Sequence, residues 1–87
     1  MNRRFSETAW SEFMFWVSED RKKAEKINDL LNDIERNGAA KGKGKPERLK
    51  YRPAWSRKID DTNRLIYNID KNGYIYVISC KGHYDDK

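Results

Sequence analysis

Cysteine, histidine and proline are scarce in this 87-residue chain, which has one cysteine, one histidine and two prolines. Cys80 has no second cysteine to pair with, so an intramolecular disulfide is excluded. The spacings typical of metal sites, such as paired cysteines or two histidines one helical turn apart, are also absent. The sequence therefore predicts no metal site and no cofactor.

The chain also lacks a long hydrophobic run. No stretch approaches the roughly 20 apolar residues of a membrane span, and MNRRFSETAW at the N-terminus has no apolar segment after its arginines, unlike a secretory signal. We therefore expect a cytoplasmic protein without membrane association. Aromatic residues nevertheless make up 13% of the chain, too many for a disordered segment, and the length fits one domain spanning residues 1–87.

Positive charge is concentrated in residues 41–58. The net charge of the whole chain is +5, whereas this segment alone holds eight basic residues and one carboxylate, Glu47. A basic stripe on a nearly neutral body is typical of a surface that binds a polyanion such as a nucleic acid, although a solvated lysine loop has the same composition. The basic residues are Lys41, Lys43, Lys45, Arg48, Lys50, Arg52, Arg57 and Lys58.

Hydrophobic periodicity predicts two helices in the first half of the chain, residues 6–19 and 21–37. Ser6 and Asp20 are the predicted N-caps, and Gly38 suits the left-handed position after a helix C-terminus. The break around residue 20 predicts a helical hairpin. The predicted core-facing residues are Trp10, Phe13, Met14, Val17, Ala24, Ile27, Leu30, Leu31 and Ile34, and the other two tryptophans, Trp16 and Trp55, are also assigned to the core.

After Pro46 the period falls to two, which predicts β-strands. Asn72 and Gly73 predict a type I′ hairpin turn before the last strand. Helices followed by an antiparallel meander imply an α+β fold, with two N-terminal helices packed on one face of a small, mainly antiparallel twisted sheet. The predicted strands are residues 48–51, 54–60, 63–69 and 73–80, with a short one ending at Phe5.

Side-chain alternation predicts what lines the face of the sheet that the helices leave open. If Leu65 and Tyr67 face the helices, Arg64 faces away from them. If Ile59 faces the helices, Lys58 faces away as well. Lys58 and Arg64 should therefore lie on the same exposed face, on neighbouring strands.

The isolated Glu47 and the histidine, His83, could supply an acid–base pair beside this face. RNA cleavage without a metal needs a base that takes the proton of a 2′-OH, cations that stabilise charge on the phosphate, and an acid that protonates the leaving 5′-oxygen. Glu47 could be the base and His83 the acid, because an imidazole is partly protonated near neutral pH. Lys58 and Arg64 could be the cations. Cys80 lies in an apolar strand, so we predict a core residue and not a nucleophile.

Six segments, taken in order, form a specific combination: AWSEFMFW, KINDLLNDIERNG, GKGKPERLK, WSRKI, NRLIYNI and a His-Tyr pair near the C-terminus. Their order and spacing resemble those of the YoeB/Txe toxins of the RelE superfamily, from about Phe5 to Tyr84. The resemblance implies the small RelE-like α+β fold. It also implies the toxin of a bacterial type II toxin–antitoxin system, a ribosome-dependent, metal-independent mRNA endoribonuclease that uses the 2′-OH of mRNA in the decoding site.

The same resemblance, matched motif by motif, implies the site residues. Tyr84 would orient the substrate or stack on a base, unless it only packs at the C-terminus. The implied catalytic residues are Glu47 from KPE, Arg64 from RLIY, and His83 and Tyr84 from the terminal pair. The predicted RNA- or phosphate-binding residues are Lys50 and Lys58 from the resemblance, together with Arg57, Lys45 and Lys43 from the basic stripe.

The resemblance also implies the partners. They are a cognate antitoxin of the YefM/Axe type with an acidic toxin-binding segment, the ribosome with its mRNA, operator DNA reached only through the antitoxin complex, and a second copy in a possible homodimer. No membrane partner is expected.

Departures from the family pattern keep a second interpretation open. The loop at residues 51–54 is shorter than usual, Gly82 stands where a bulkier residue is common, and residues 85–87 extend beyond the tyrosine at which many members end. Position 58, a lysine here, is often arginine. A non-catalytic basic module that binds RNA or DNA, or a degenerate toxin that binds only its antitoxin, is therefore the alternative.

Overall fold

The computed structural model describes residues 2–83, which form two helices and five strands in one α+β arrangement, as the sequence predicts. Neither of these helices is long and apolar enough to cross a membrane. The elements are β1 (Arg3–Phe5), α1 (Glu7–Glu19), α2 (Arg21–Asn37), β2 (Glu47–Arg48), β3 (Trp55–Lys58), β4 (Arg64–Ile69) and β5 (Ile75–Ser79).

The five strands form one mixed sheet in the order β1-β5-β4-β3-β2. The pairs β2–β3, β3–β4 and β4–β5 are antiparallel, as expected for a meander, whereas β1 pairs parallel with the other side of β5. The chain leaves β1 at Ser6, whose backbone N–H and hydroxyl donate to the carbonyl oxygens of Val77 and Ile78 at 2.9 and 2.8 Å. These two hydrogen bonds fix the start of α1 beside β5.

The helix ends follow the predicted signals with one exception. The Ser6 hydroxyl accepts the backbone N–H of Ala9 at 2.9 Å and caps α1. Asp20 is the single residue between the helices, but its side chain makes no capping hydrogen bond to α2. Gly38 ends α2 with φ +86°, a left-handed conformation that glycine adopts without a Cβ clash.

The core lies between the helices and one face of the sheet. The predicted stripe of α2 is confirmed, since Ile27, Leu30, Leu31 and Ile34 are buried. On the sheet side the buried residues are Leu65, Tyr67, Ile75 and Val77, with Ile59 and Cys80 beside them. Burying a side chain of this size contributes about 1.5–3 kcal/mol, so this layer holds the two helices on the sheet.

The stripe predicted for α1 is wrong in part, because Phe13 packs against the core as predicted while Trp10 and Met14 are exposed. Trp10 and Met14 are 52% and 44% exposed, whereas Ala9 and Trp16 are buried. The indole N–H of Trp16 donates to the carbonyl oxygen of Cys80 at 2.9 Å, and this polar contact selects the buried face. The assignment of Trp10 to the core is therefore wrong, while Trp16 is buried and Trp55 packs against the core.

The turn between β4 and β5 differs from the type I′ prediction. Gly73 is in the left-handed region at φ +84°, but Asn72 is not, and type I′ needs both central residues there. The Asp70 carboxylate accepts the backbone N–H groups of Asn72 and Tyr74 at 2.9 and 3.0 Å. These bonds favour a three-residue loop with one left-handed glycine.

Cys80 is fully buried, as predicted for a core residue. Burial raises the pKa of its thiol to about 12. We therefore expect iodoacetamide at pH 8 to leave native Cys80 unmodified over a period that labels the urea-denatured chain completely, because the thiolate is the reactive form. Mass spectrometry measures the labelling. Equal rates for the native and denatured chains would contradict the burial of this thiol.

Candidate active site

Strand pairing places Lys58 and Arg64 directly opposite each other. Their Cα atoms are partners in the β3–β4 ladder, and residues paired in this way share one face of a sheet. The adjacent pair, Arg57 and Leu65, faces the helices. The prediction that Lys58 and Arg64 lie together on the face away from the helices is therefore confirmed.

Glu47 joins the same face from β2. Its Cα pairs with that of Ser56, which lies two residues before Lys58 on β3. With strands about 4.8 Å apart and about 6.7 Å between alternate residues, the Cα atoms of Glu47 and Arg64 are separated by ~12 Å. The Glu47 side chain is exposed and forms no hydrogen bond or ion pair with any residue from 2 to 83. A phosphodiester could therefore lie between this carboxylate and the two cations.

The centre of this face is closed. Ile66 points away from the helices because it alternates with Leu65 and Tyr67. It is nevertheless fully buried, and its partner Ser56 is only 8% exposed. The face is therefore not open along its whole length. Polar groups line its margin, and an apolar residue occupies its middle.

The Arg64 guanidinium is partly held by backbone. Its Nη1 donates to the carbonyl oxygens of Asp60 and Asn63 at 2.8 and 3.2 Å. Within residues 2–83, Nε and Nη2 have no hydrogen-bond partner. The head is thus fixed at one end and keeps two donating nitrogens for an anion.

His83 is placed beside Arg64 through Gly82. The backbone N–H of Arg64 donates to the Gly82 carbonyl oxygen at 3.0 Å, and the Gly82 N–H donates to Asn63 Oδ1 at 2.7 Å. Gly82 has φ +86°, a conformation in which a bulkier residue would be strained. The His83 side chain is exposed. Gly82, a departure from the family pattern, is therefore held through both its N–H and its carbonyl oxygen.

Arg57 corrects the sequence prediction. It was assigned to RNA or phosphate binding, but it is fully buried on the helix side of β3. A guanidinium whose donors are all satisfied inside the protein cannot contact RNA. Its hydrogen bonds run to Tyr67 Oη at 2.8 Å, Asp33 Oδ2 at 2.6 Å, and the carbonyl oxygens of Lys43, Gly38 and Lys41 at 3.0, 2.9 and 2.7 Å.

The lysine loop, residues 38–46, is wrapped around this guanidinium and the Asp33 carboxylate. Asp33 also accepts the backbone N–H of Lys43 at 2.9 Å, and that bond, followed by the Arg57 guanidinium, holds the pKa of the Asp33 carboxyl below its usual range. A Cβ on Gly42 would lie 1.9 Å from Asp33 Oδ2, so the backbone can approach only as glycine. The internal pair fixes the backbone while Lys41 and Lys43 stay exposed.

The other predicted site residues are less constrained. Lys43 and Lys45 are exposed on the lysine loop, consistent with a phosphate-binding role. Lys50 follows β2, where no strand pairing brings it to the Glu47 face, and its Nζ lies 5.9 Å from the centroid of the Tyr51 ring. Tyr84, together with residues 85–87, lies outside the described residues.

Sequence reasoning missed three polar residues that organise this region, namely Asp33, Asp60 and Asn63. Asp33 is not among the residues of α2 predicted to face the core, yet it is 3% exposed. Its position three residues after Leu30 was the available signal. For Asp60 and Asn63 the signal was the polar turn DDTN between two strands. Within residues 2–83, no three side chains of His, Cys, Asp or Glu come together as metal ligands would.

Comparisons with known proteins place these features in a family. A family model described as "YoeB-like toxin of bacterial type II toxin-antitoxin system" matches residues 5–84. Toxin YoeB of Escherichia coli K12 is 35% identical over 82 residues, which cover 92% of this chain and 95% of the relative.

Solved structures agree with the sequence comparisons. The toxin in a heterotetrameric YoeB-YefM toxin–antitoxin complex from Staphylococcus aureus is 43% identical, with a TM-score of 0.89 over 97% of this chain and 98% of that one. A YoeB dimer from the same species is 41% identical, with a TM-score of 0.91 and the same coverage. The fold is therefore shared with these proteins, and the sequence similarity extends over nearly the whole chain.

Proposed function

Because this chain belongs to the YoeB-like toxins of bacterial type II toxin–antitoxin systems, we propose that it is a ribosome-dependent mRNA endoribonuclease that halts translation. The single observation that supports this most strongly is the strand register, which puts Glu47, Lys58 and Arg64 on one face of the sheet. His83 follows a residue bonded to Arg64. In this proposal Glu47 and His83 are the acid–base pair, and Lys58 and Arg64 are the cations that hold the phosphodiester.

In the proposed reaction, the Glu47 carboxylate takes the proton of the mRNA 2′-OH. The resulting oxygen attacks the adjacent phosphorus and forms a 2′,3′-cyclic phosphate, while the bond to the 5′-oxygen breaks. His83 gives its proton to that leaving oxygen, and each proton transfer contributes about 10²–10⁴ in rate. Lys58 and the two available nitrogens of Arg64 stabilise the charge that grows on the phosphate.

Lys58 makes this clamp weaker than an arginine would. Its ammonium is a point charge, whereas a guanidinium can hold a phosphate through two parallel hydrogen bonds. The exposed lysines of the lysine loop, and Lys50 beyond β2, would hold the flanking RNA backbone. Such contacts release counterions, so we expect binding to weaken steeply with salt.

Protein partners are also part of the proposal. The similar Staphylococcus aureus toxins occur in a complex with YefM and as a dimer, and we propose that this chain pairs with an antitoxin and can form homodimers. Trp10, Met14 and Phe15 on α1 are 52%, 44% and 44% exposed. Trp10 and Met14 lie one helical turn apart on the same side of α1, and adjoining exposed apolar side chains are typical of protein contact surfaces.

Purified protein added to ribosomes programmed with a defined mRNA tests the proposal. We expect new RNA 5′ ends in the decoding site, mapped by primer extension, and no cut in the same mRNA without ribosomes. Intact mRNA with the protein bound to the ribosome would contradict the proposed nuclease activity and favour a non-catalytic binding module.

A further inference from the structure

The turn between β3 and β4, residues 60–63, contacts two of the groups proposed for catalysis. Its backbone carbonyls at Asp60 and Asn63 accept Nη1 of Arg64. Its Asn63 side chain accepts the backbone N–H of Gly82, the residue before His83, at 2.7 Å. One short turn therefore holds both the guanidinium and the backbone that carries the imidazole.

The Asn63 amide has one possible orientation. Its Nδ2 lies 3.1 and 3.0 Å from the two oxygens of the Asp60 carboxylate, which can only accept. The amide oxygen must then face Gly82. Asp60 is in turn fixed by Lys23 of α2, whose Nζ lies 2.9 Å from Oδ2. The amide is thus locked between a donor and an acceptor before any substrate arrives.

Among residues 2–83, little else holds Gly82 in place. A Cβ built on it would meet no atom of these residues within 4 Å, so side-chain packing against them does not position Gly82. Its carbonyl oxygen accepts the Arg64 N–H, and its own N–H donates to the Asn63 side chain. The Asn63 bond is the only one of the two that a point mutation can remove without breaking a strand.

We infer that Asn63 is a positioning residue that fixes His83 relative to Arg64 by holding the Gly82 N–H, an inference that rests on the proposed function. Asn63 does not touch the reacting atoms. It reduces the freedom of the segment that carries the acid, and a misplacement of about 1 Å at a catalytic group can cost ~10²-fold in rate.

Single-turnover cleavage of mRNA on saturating programmed ribosomes tests this inference. We expect Asn63→Ala to lower the rate constant about 10–100-fold with unchanged ribosome affinity. Asn72→Ala is the matched control, because Asn72 occupies the comparable Asp-containing turn between β4 and β5.

Hydrogen exchange of the Gly82 amide, measured by NMR on the free protein, separates this inference from the proposed function. Loss of protection at Gly82 in Asn63→Ala, but not in Asn72→Ala, supports the anchor even if the wild type cuts no mRNA. Equal protection in all three proteins overturns it. If the wild type cleaves and Asn63→Ala cleaves equally fast, the positioning role fails while the nuclease stands.

Discussion

Arg57→Ala is expected to destabilise the domain by about 3–5 kcal/mol, because removing one partner of a buried ion pair leaves the other charge uncompensated. In this chain Asp33 is not the only group that would lose a hydrogen-bond partner. The carbonyl oxygens of Gly38, Lys41 and Lys43 would lose their donors at the same time. A domain of this size is stable by only about 5–10 kcal/mol, so much of its stability is at stake.

Urea unfolding followed by circular dichroism measures this effect. With a typical slope of about 1–3 kcal/mol per molar urea, the midpoint should fall by roughly 2 M. Arg57→Lys keeps the charge but not the five-donor fork. If Arg57→Ala does not fold, Arg57→Lys should still fold, with a midpoint below that of the wild type.

Arg36→Ala is the matched control for Arg57. Arg36 also approaches Asp33, with Nη2 3.8 Å from Oδ1, but its side chain is 63% exposed. An exposed pair of this kind contributes only about 0–1 kcal/mol. If Arg57→Ala and Arg36→Ala unfolded at the same urea concentration, the central role given to the buried pair would be wrong.

Glu47→Gln is expected to slow mRNA cleavage on programmed ribosomes by about 10²–10⁴-fold while ribosome binding persists. An amide has nearly the shape of the carboxylate but cannot take the 2′-OH proton. Because the Glu47 side chain makes no hydrogen bond or ion pair within residues 2–83, we expect the variant to fold like the wild type. Single-turnover primer extension gives the rate constant, and sedimentation with ribosomes gives the binding.

The pH dependence separates the base from the acid. A reaction that needs an ionised base and a protonated acid has a bell-shaped pH–rate profile. Glu47→Gln should remove the acidic limb of that profile, and His83→Gln the alkaline limb. Glu25→Gln, which changes an exposed carboxylate on α2, should leave both limbs of the profile unchanged. Cleavage by Glu47→Gln at the wild-type rate would show that another group is the base.

The elements that the sequence predicted well are those with one strong period. The stripe of α2 repeats in a chain otherwise rich in charge, so only one face can be buried. Helix α1 has apolar residues almost all round, and the stripe through Trp10 and Met14 fits the period as well as the one through Ala9 and Trp16. The bond from Trp16 to Cys80 decides between them, and no local pattern contains that contact.

In the candidate site, too, the residues placed by a local pattern were predicted and those placed by a distant contact were not. Period-two alternation placed Lys58 and Arg64 together, and the pairing confirms it. The same rule puts Arg57 on the opposite face with Ile59, yet its position in a basic run suggested an exposed residue. A buried arginine is recognisable only with its partner, and Asp33 lies 24 positions away in the chain. Asn63 was missed because its role depends on where residue 82 returns to the sheet.

Primer extension on two mRNAs that differ by one oxygen tests the central claim most directly. One mRNA carries a 2′-deoxy nucleotide immediately 5′ of the scissile phosphate, and both are loaded on the same ribosomes. If the face of Glu47, Lys58, Arg64 and His83 works through the neighbouring 2′-OH, the normal mRNA is cut there and the deoxy mRNA stays intact at that bond. Equal cleavage of both would contradict the mechanism.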